Sequence, residues 1–402
     1  MALTVDDVIR LRRGEPPDNL ELVKDMTLGS EIWLDRFSQI YLDTFISEGG
    51  SKVKVLIGNE GSGKTHMLRT IEQLSLQKGY SSIYLSARNA GPKLNDIPNL
   101  YRLIISCVDM EKVICGLSVK VAQSLGYGST IYDGTCKLLP YVIEEGYGTA
   151  DASREIRIAI AKTLKDSDFS PSLFTFAFTL IKDRLINEDD NATRLAIKWI
   201  KGEKLERFER QSAGIFETLQ KSNARQWLNS LLKLIIFSGM KGLVVLIDDI
   251  DVMYERSTET GRFIYSPSNI KDTCELIRQI IDDTEMLKGL MFMVAGRRNI
   301  VEDEKRGFKS YEALWMRLQT GLVPSGMFNS LCDIVDVDKH LESLGSDFPR
   351  ILSQHLSRVF SNYGLKRKFK DNLPNFSSQS TLKAVVMENA YMCDNVEADN
   401  HE

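Results

Sequence analysis

Short apolar runs separated by long amphipathic stretches set the pattern of this chain. The runs fall at residues 53–57, 82–86, 243–247, 290–295 and 333–337. Each is too short for a stable helix, and each reads as a buried strand of a parallel sheet with crossover connections. Helical spacing of apolar residues fills the segments between them. At 31–45, Leu34, Phe37, Ile40, Tyr41 and Phe45 recur at helical turns, and further helices read at 64–78, 269–284, 310–319 and 346–362. A shorter helix at 4–13 begins on Thr4 as N-cap, carries Asp6 and Asp7 in its first turn and Arg10, Arg12 and Arg13 in its last, then stops at Gly14 and Pro16-Pro17. That charge order suits the helix dipole.

Residues 87–242 separate the second strand from the third and show no strand-like alternation. They read as helices at about 100–125, 151–165, 171–186, 191–201, 205–220 and 223–237. A compact sheet domain needs no such length between strands, so this stretch is a helical insertion. The expected division is an N-terminal helical segment (1–48), a sheet core (49–92 and 238–340), the insertion (93–237), a small helical lid (341–370) and a tail (371–402) that ends polar, acidic and disordered.

Composition narrows the classes of function. A hydrophobic content of 43% supplies a sizeable core. The formal net charge of −4 argues against a surface that coats nucleic acid throughout, and leaves room for a local basic patch. Six cysteines without a CxxC pair and four scattered histidines argue against zinc and against a disulfide framework. Reduced thiols in a cytoplasmic protein fit this usage. The N-terminus lacks a basic start followed by an apolar core, and no run approaches the ~20 apolar residues of a membrane span. The expectation is a cytoplasmic protein with no membrane association.

The chemistry begins where the first strand ends. Gly58-Asn59-Glu60-Gly61-Ser62-Gly63-Lys64-Thr65 matches G-x-x-x-x-G-K-[ST] between a strand and a helix, the context a phosphate-binding loop requires. Glycines let consecutive backbone N–H groups turn inward around phosphates. Lys64 brings a positive charge to the terminal phosphates, the Thr65 hydroxyl takes one Mg²⁺ position, and His66 follows on the helix. The implied ligands are ATP and Mg²⁺.

The third strand runs straight into Asp248-Asp249. Asp248 is the candidate Mg²⁺ ligand and Asp249 the candidate that orients the attacking water; Asp251 reads as a turn residue. Glu is the more usual residue at the place of Asp249, so slow hydrolysis or none stays open. At the end of the fourth strand, Arg297 is the candidate γ-phosphate sensor, with Arg298 and Asn299 behind it, or else the arginines are solvated. Arg317 lies where oligomeric ATPases related to AAA+ often supply an arginine to a neighbour's nucleotide, although its place on an amphipathic helix favours a surface arginine. Arg350 reads as a surface residue rather than a phosphate contact. Arg194, Lys198, Lys201, Lys204, Arg207 and Arg210, interleaved with Trp199 and Phe208, could meet nucleic-acid phosphates, yet Glu203, Glu206 and Glu209 among them favour a solvated face with ion pairs.

Beyond the loop, five segments recur in a selective order: Ile9-Arg10-Leu11-Arg12-Arg13-Gly14-Glu15-Pro16-Pro17, Trp199-Ile200-Lys201-Gly202-Glu203, residues 242–251, Arg306-Gly307-Phe308 and Tyr311-Glu312-Ala313-Leu314 with Arg317-Leu318. Over about residues 5–360 the chain resembles the BrxD-like P-loop ATPases of BREX-type bacterial phage-defence systems. The resemblance implies an AAA+-like α/β core, a parallel sheet sandwiched by helices, with relatives among origin-recognition ATPases and STAND-type switches. It implies ATP rather than GTP, a role in defence, work with DNA and with protein partners of the same locus including a helicase, and a homo-oligomer as the setting for Arg317.

Overall fold

The computed structural model describes residues 3–90, 93–186, 190–319, 332–365, 376–377 and 380–393. Its strands are β1 (Lys52–Ile57), β2 (Ser81–Ser86), β3 (Leu243–Asp248), β4 (Leu290–Gly296) and β5 (Ile334–Asp336). All pair in parallel, in the spatial order β2-β3-β4-β1-β5. Helices flank this sheet, a helical insertion separates β2 from β3, and further helices follow β5, an arrangement consistent with a P-loop NTPase fold.

The register decides where the chemistry gathers. Ile57 stands beside Gly296 on one side and Asp336 on the other, and Ser86 stands beside Asp248. Parallel strands end on the same edge, so the loop after β1, the carboxylates after β3 and the arginines after β4 emerge together.

The two-residue period of each strand sorts its side chains onto two faces. Leu56, Val244, Leu246, Met291 and Met293 meet Leu68 and Ile71 of the helix Lys64–Gln77, and Trp33, Phe37 and Tyr41 from the N-terminal side. Val53, Val55, Val245, Phe292 and Val294 face the opposite way, into a core that continues through the insertion. A third core joins the two ends of the described chain: Val8, Leu11 and Leu22 pack with Leu352, Leu356, Phe360 and Val385.

β1 is less apolar than it reads. Lys54 is fully buried in its middle, donating to the Cys332 carbonyl and lying 4.8 Å from the Tyr41 ring centre. Burial, with Lys52 nearby, lowers its pKa to about 8.

Helix boundaries differ from expectation where local chemistry interrupts periodicity. The stretch read at 100–125 is two helices, Ile97–Cys107 and Met110–Ser124, because Val108 is extended and the Asp109 side chain caps the second. The stretch read at 205–220 is helical only over Arg207–Ala213, ended by Gly214 at φ +65°. The segment 31–45 is a short 3₁₀ turn (Ser30–Ile32), one α turn (Leu34–Phe37) and wider π-type turns (Ser38–Phe45). Helices Leu139–Glu144 and Leu382–Tyr391 had no expectation. The latter mixes apolar and polar residues around its circumference, so no stripe advertises it. The basic cluster 366–370 and residues 394–402 of the tail lie outside the described residues.

The Trp199–Glu203 segment closes a helix onto the insertion's core. Trp199 is 3% exposed, and its indole N–H donates to the Glu217 carbonyl at 2.8 Å. Its ring centre is 4.8 Å from that of Trp227 and 5.7 Å from that of Phe176. Gly202 sits at φ +73°, and a Cβ there would stand 2.6 Å from Leu219. Trp199→Ala should therefore lower unfolding stability by about 3–5 kcal/mol in chemical denaturation, and a wild-type midpoint would contradict this packing.

Candidate functional site

Where β1 ends, the chain must reverse sharply to start the helix Lys64–Gln77 over the sheet. Gly61 (φ +76°) and Gly63 (φ +94°) adopt the left-handed conformation that other residues resist. Gly58 is required for a different reason: a Cβ on it would lie 2.7 Å from the Ser62 hydroxyl oxygen. That oxygen is buried with no hydrogen-bond partner among the described residues. An orphaned polar atom inside a glycine-lined turn suits a ligand that brings acceptors.

Lys64 curls back over the loop, donating to the Gly58 carbonyl at 3.0 Å and the Asn59 carbonyl at 2.7 Å. Burial lowers its pKa, while the carboxylates of Asp248, Asp251 and Asp338 act the other way. Asp338 also accepts the Asn59 N–H at 2.9 Å. Arg298 holds that carboxylate at 3.0 Å and grips Asp336 at 2.6 and 2.8 Å. Arg298 thus braces β4 and β5 against the loop.

The two carboxylates after β3 sit in contrasting surroundings. Asp248 is 2% exposed. Burial first, then its neighbour Asp249, raises its carboxyl above the usual range, while hydrogen bonds from Thr65, the Asp249 N–H and Tyr84 pull the other way. The Tyr84 hydroxyl donates at 3.0 Å. Asp249 is held at φ +56°, a left-handed backbone unusual for a residue with a side chain, and its carboxylate accepts the Ser86 hydroxyl at 2.6 Å. The β2–β3 register sets up that bond.

Asp251, read from sequence as a turn residue, is 5% exposed and faces the site. It takes the Arg297 Nε–H at 2.9 Å, and Glu255 stands 3.7 Å from the same guanidinium. Arg88 joins the group through Glu255. Arg297 therefore lines the site with its charge already matched.

Glu60, Gly61, Gly63, Lys64, Thr65, Asp248, Asp249 and Arg297 meet at one cavity of about 770 Å³. Arg317 is not among its walls: it grips Asp282 on the helix Pro267–Asp282 and donates to the Ala313 carbonyl. Arg350 is exposed beside Asp347. In the mixed basic segment Lys198 pairs with Glu209 at 3.1 Å, and Trp199 is core. A signal that could have revealed Asp251 was its apolar setting, Ile250 before it and Val252-Met253 after it, too hydrophobic for an exposed turn.

Among the described residues no group of three or more His, Cys, Asp or Glu side chains has the arrangement to hold a metal alone. The Thr65 hydroxyl and the Asp248 carboxylate, which line the same cavity, are a smaller, all-oxygen donor set. It fits Mg²⁺, which commonly takes one or two protein ligands and completes its shell with water and phosphate. Nor is any helix among the described residues long and apolar enough to cross a membrane.

The BREX system ATP-binding protein BrxC/D family matches residues 34–386, and the chain belongs to that family. No curated protein and no solved structure matches it.

Burial and the loop's neighbours also fix the state of His66. Its Nε2 lies 2.9 Å from the Thr27 hydroxyl, which reaches Thr70 as well. Burial lowers its pKa to about 4. The folded protein thus keeps a neutral ring where an unfolded chain, titrating near 6.5, takes up a proton. The resulting stability is complete above about pH 6.5 and drains away as pH falls toward 4. Replacing it in His66→Gln should flatten the acid-side decline of Tm in that window; an unaltered slope would contradict the buried neutral imidazole.

Proposed function

We propose, with membership of that family as the premise, that this ATP-binding protein of a BREX phage-defence system hydrolyses ATP with Mg²⁺ on the loop 58–65. The observation that carries the reading is the meeting of Lys64, Thr65 and Asp248 at one cavity, on a loop whose glycines leave room for phosphates. Lys64 would exchange two backbone carbonyls for the terminal phosphates, and the N–H groups from Gly61 to His66 would donate to the oxygens of the polyphosphate chain. Thr65 and Asp248 would hold Mg²⁺, which supplies charge neutralisation along the phosphates. Asp249 would orient water, and Arg297 would sense the γ-phosphate once Asp251 releases it.

For the base, the segment Thr27–Trp33 offers a recess next to the loop. Leu28, Trp33, Met67, Leu341 and Phe348 line it, with His340, whose Nδ1 is buried and unpartnered among the described residues. This is an apolar slot with a polar atom in its wall, suited to a purine.

A second reading has its own support. Asp249 is shorter than Glu and is tied to Ser86 in a left-handed backbone. That restraint favours an ATP-controlled assembly switch with little turnover, whose bound nucleotide orders the protein for partners of the same locus. The motor reading, in contrast, places the chain with DNA and a helicase, and in a homo-oligomer Arg317 would exchange Asp282 for a neighbour's nucleotide.

Mg²⁺-dependent ATP turnover, measured with and without duplex and single-stranded DNA, separates the two. For the motor, DNA stimulates turnover, Lys64→Ala abolishes it, and Asp249→Asn lowers kcat by about a hundredfold or more with little change in binding. ATP binding without turnover under every condition would sink the ATPase and leave the switch. Turnover that survives Lys64→Ala would contradict the site itself.

A further inference from the structure

The nucleotide reading leaves unused a contact between the last described helix and the phosphate loop. Leu382–Tyr391 presents its first turn to that loop, and the Lys383 backbone N–H donates to the Gly61 carbonyl at 3.2 Å. A Cβ on Gly61 would stand 3.1 Å from the Cβ atoms of both Lys383 and Thr381, and one on Gly63 would stand 3.4 Å from Leu382. Two glycines that shape the loop are thus also the ones the helix rests on.

The Lys383 side chain crosses the N-terminal turn at Gly14. A Cβ there would lie 2.4 Å from its Cγ and 2.9 Å from its Cε, and Gly14 is itself left-handed at φ +68°. Only glycine leaves this channel open. The Gly14-Glu15-Pro16-Pro17 opening, which the nucleotide reading did not use, therefore walls the stem of a lysine from the far end of the chain. Arg10 before it is engaged with Asp18.

Lys383 lines the same cavity as Lys64 and Asp248 and is half-buried. Other cations on its walls already have carboxylates: Arg88 has Glu255 and Arg297 has Asp251. No carboxylate lies within 4.0 Å of the Lys383 ammonium among the described residues. A partly desolvated ammonium at the rim of an anion-binding loop, without a counter-charge of its own, gains most from an anionic ligand.

We propose that Lys383 is a nucleotide-binding residue whose ammonium takes the polyphosphate of the bound nucleotide. Docking of the helix Leu382–Tyr391 and nucleotide binding are thereby one coupled event. The proposal rests on the nucleotide reading of the loop. By linkage, whatever Lys383 adds to affinity for the nucleotide, the bound nucleotide returns to the seating of the helix against the loop and Gly14. The ends of the described chain, joined in one core, thus become part of the site.

The test uses the full chain and isothermal titration with ATP, ADP and adenosine. Lys383→Met should weaken ATP by about tenfold or more, the loss of a charge-assisted contact, while adenosine is unaffected and Lys383→Arg restores most of the affinity. Lys383→Gln serves as a second neutral variant should the methionine protein fold poorly. In hydrogen exchange, ATP should slow the amides of 382–391 in the wild type and fail to do so in the neutral variant. Wild-type ATP affinity in both neutral variants would overturn the proposal, as would a loss that extends equally to adenosine. Lys64→Ala distinguishes the failures. If it abolishes ATP binding while Lys383→Met does nothing, the role of Lys383 falls alone; if it too leaves binding intact, the loop reading falls with it.

Discussion

The backbone turn from β1 into the helix Lys64–Gln77 is the constraint on which the rest of the molecule depends. To wrap an anion, successive N–H groups must face inward, which demands left-handed backbone at Gly61 and Gly63 and close approach at Gly58. Such a loop is an electrostatic liability without its ligand, because it gathers positive dipoles and a half-buried ammonium. The protein answers with carboxylates. Asp248, Asp251 and Asp338 surround Lys64, and Asp338 fills one loop N–H itself. Each carboxylate has its own restraint in turn: Tyr84 on Asp248, Arg297 on Asp251, and Arg298 on Asp338.

That arrangement is a consequence of sheet order. With β1 between β4 and β5, the loop emerges beside Arg297 and Arg298 on one side and Asp336 and Asp338 on the other. β3, one strand further, delivers the two aspartates. The insertion does not hang free of this edge. Its apolar interior is continuous with the β1 side chains Val53 and Val55, so its helices pack into the same core as the strand that ends in the loop.

Much of this was legible in the sequence. Each of the five strand positions came from short apolar runs, and Gly58–Thr65 with Asp248-Asp249 pointed to the edge of the sheet where the candidate site lies, because those chemistries need particular residue types at fixed spacing. What stayed hidden depends on contacts between distant segments. Nothing local to Asp338 marks it as a loop acceptor, nothing local to Arg298 separates a brace from a sensor, and Ser86 becomes a partner of Asp249 only through the β2–β3 register. Lys54 was hidden for the opposite reason: an alternating strand normally turns a lysine toward water, and here Tyr41 covers it. The helix Leu382–Tyr391 has no amphipathic stripe, so its place against the loop is visible only in three dimensions.

A crystal structure with Mg²⁺ and a non-hydrolysable ATP analogue would test the central claim most directly. The account predicts the β- and γ-phosphates against the N–H groups of Gly61–His66, with the Lys64 ammonium moved off the Gly58 and Asn59 carbonyls and Mg²⁺ beside Thr65 and Asp248. A nucleotide seated elsewhere, or a Lys64 still bonded to its own loop with phosphate present, would contradict it.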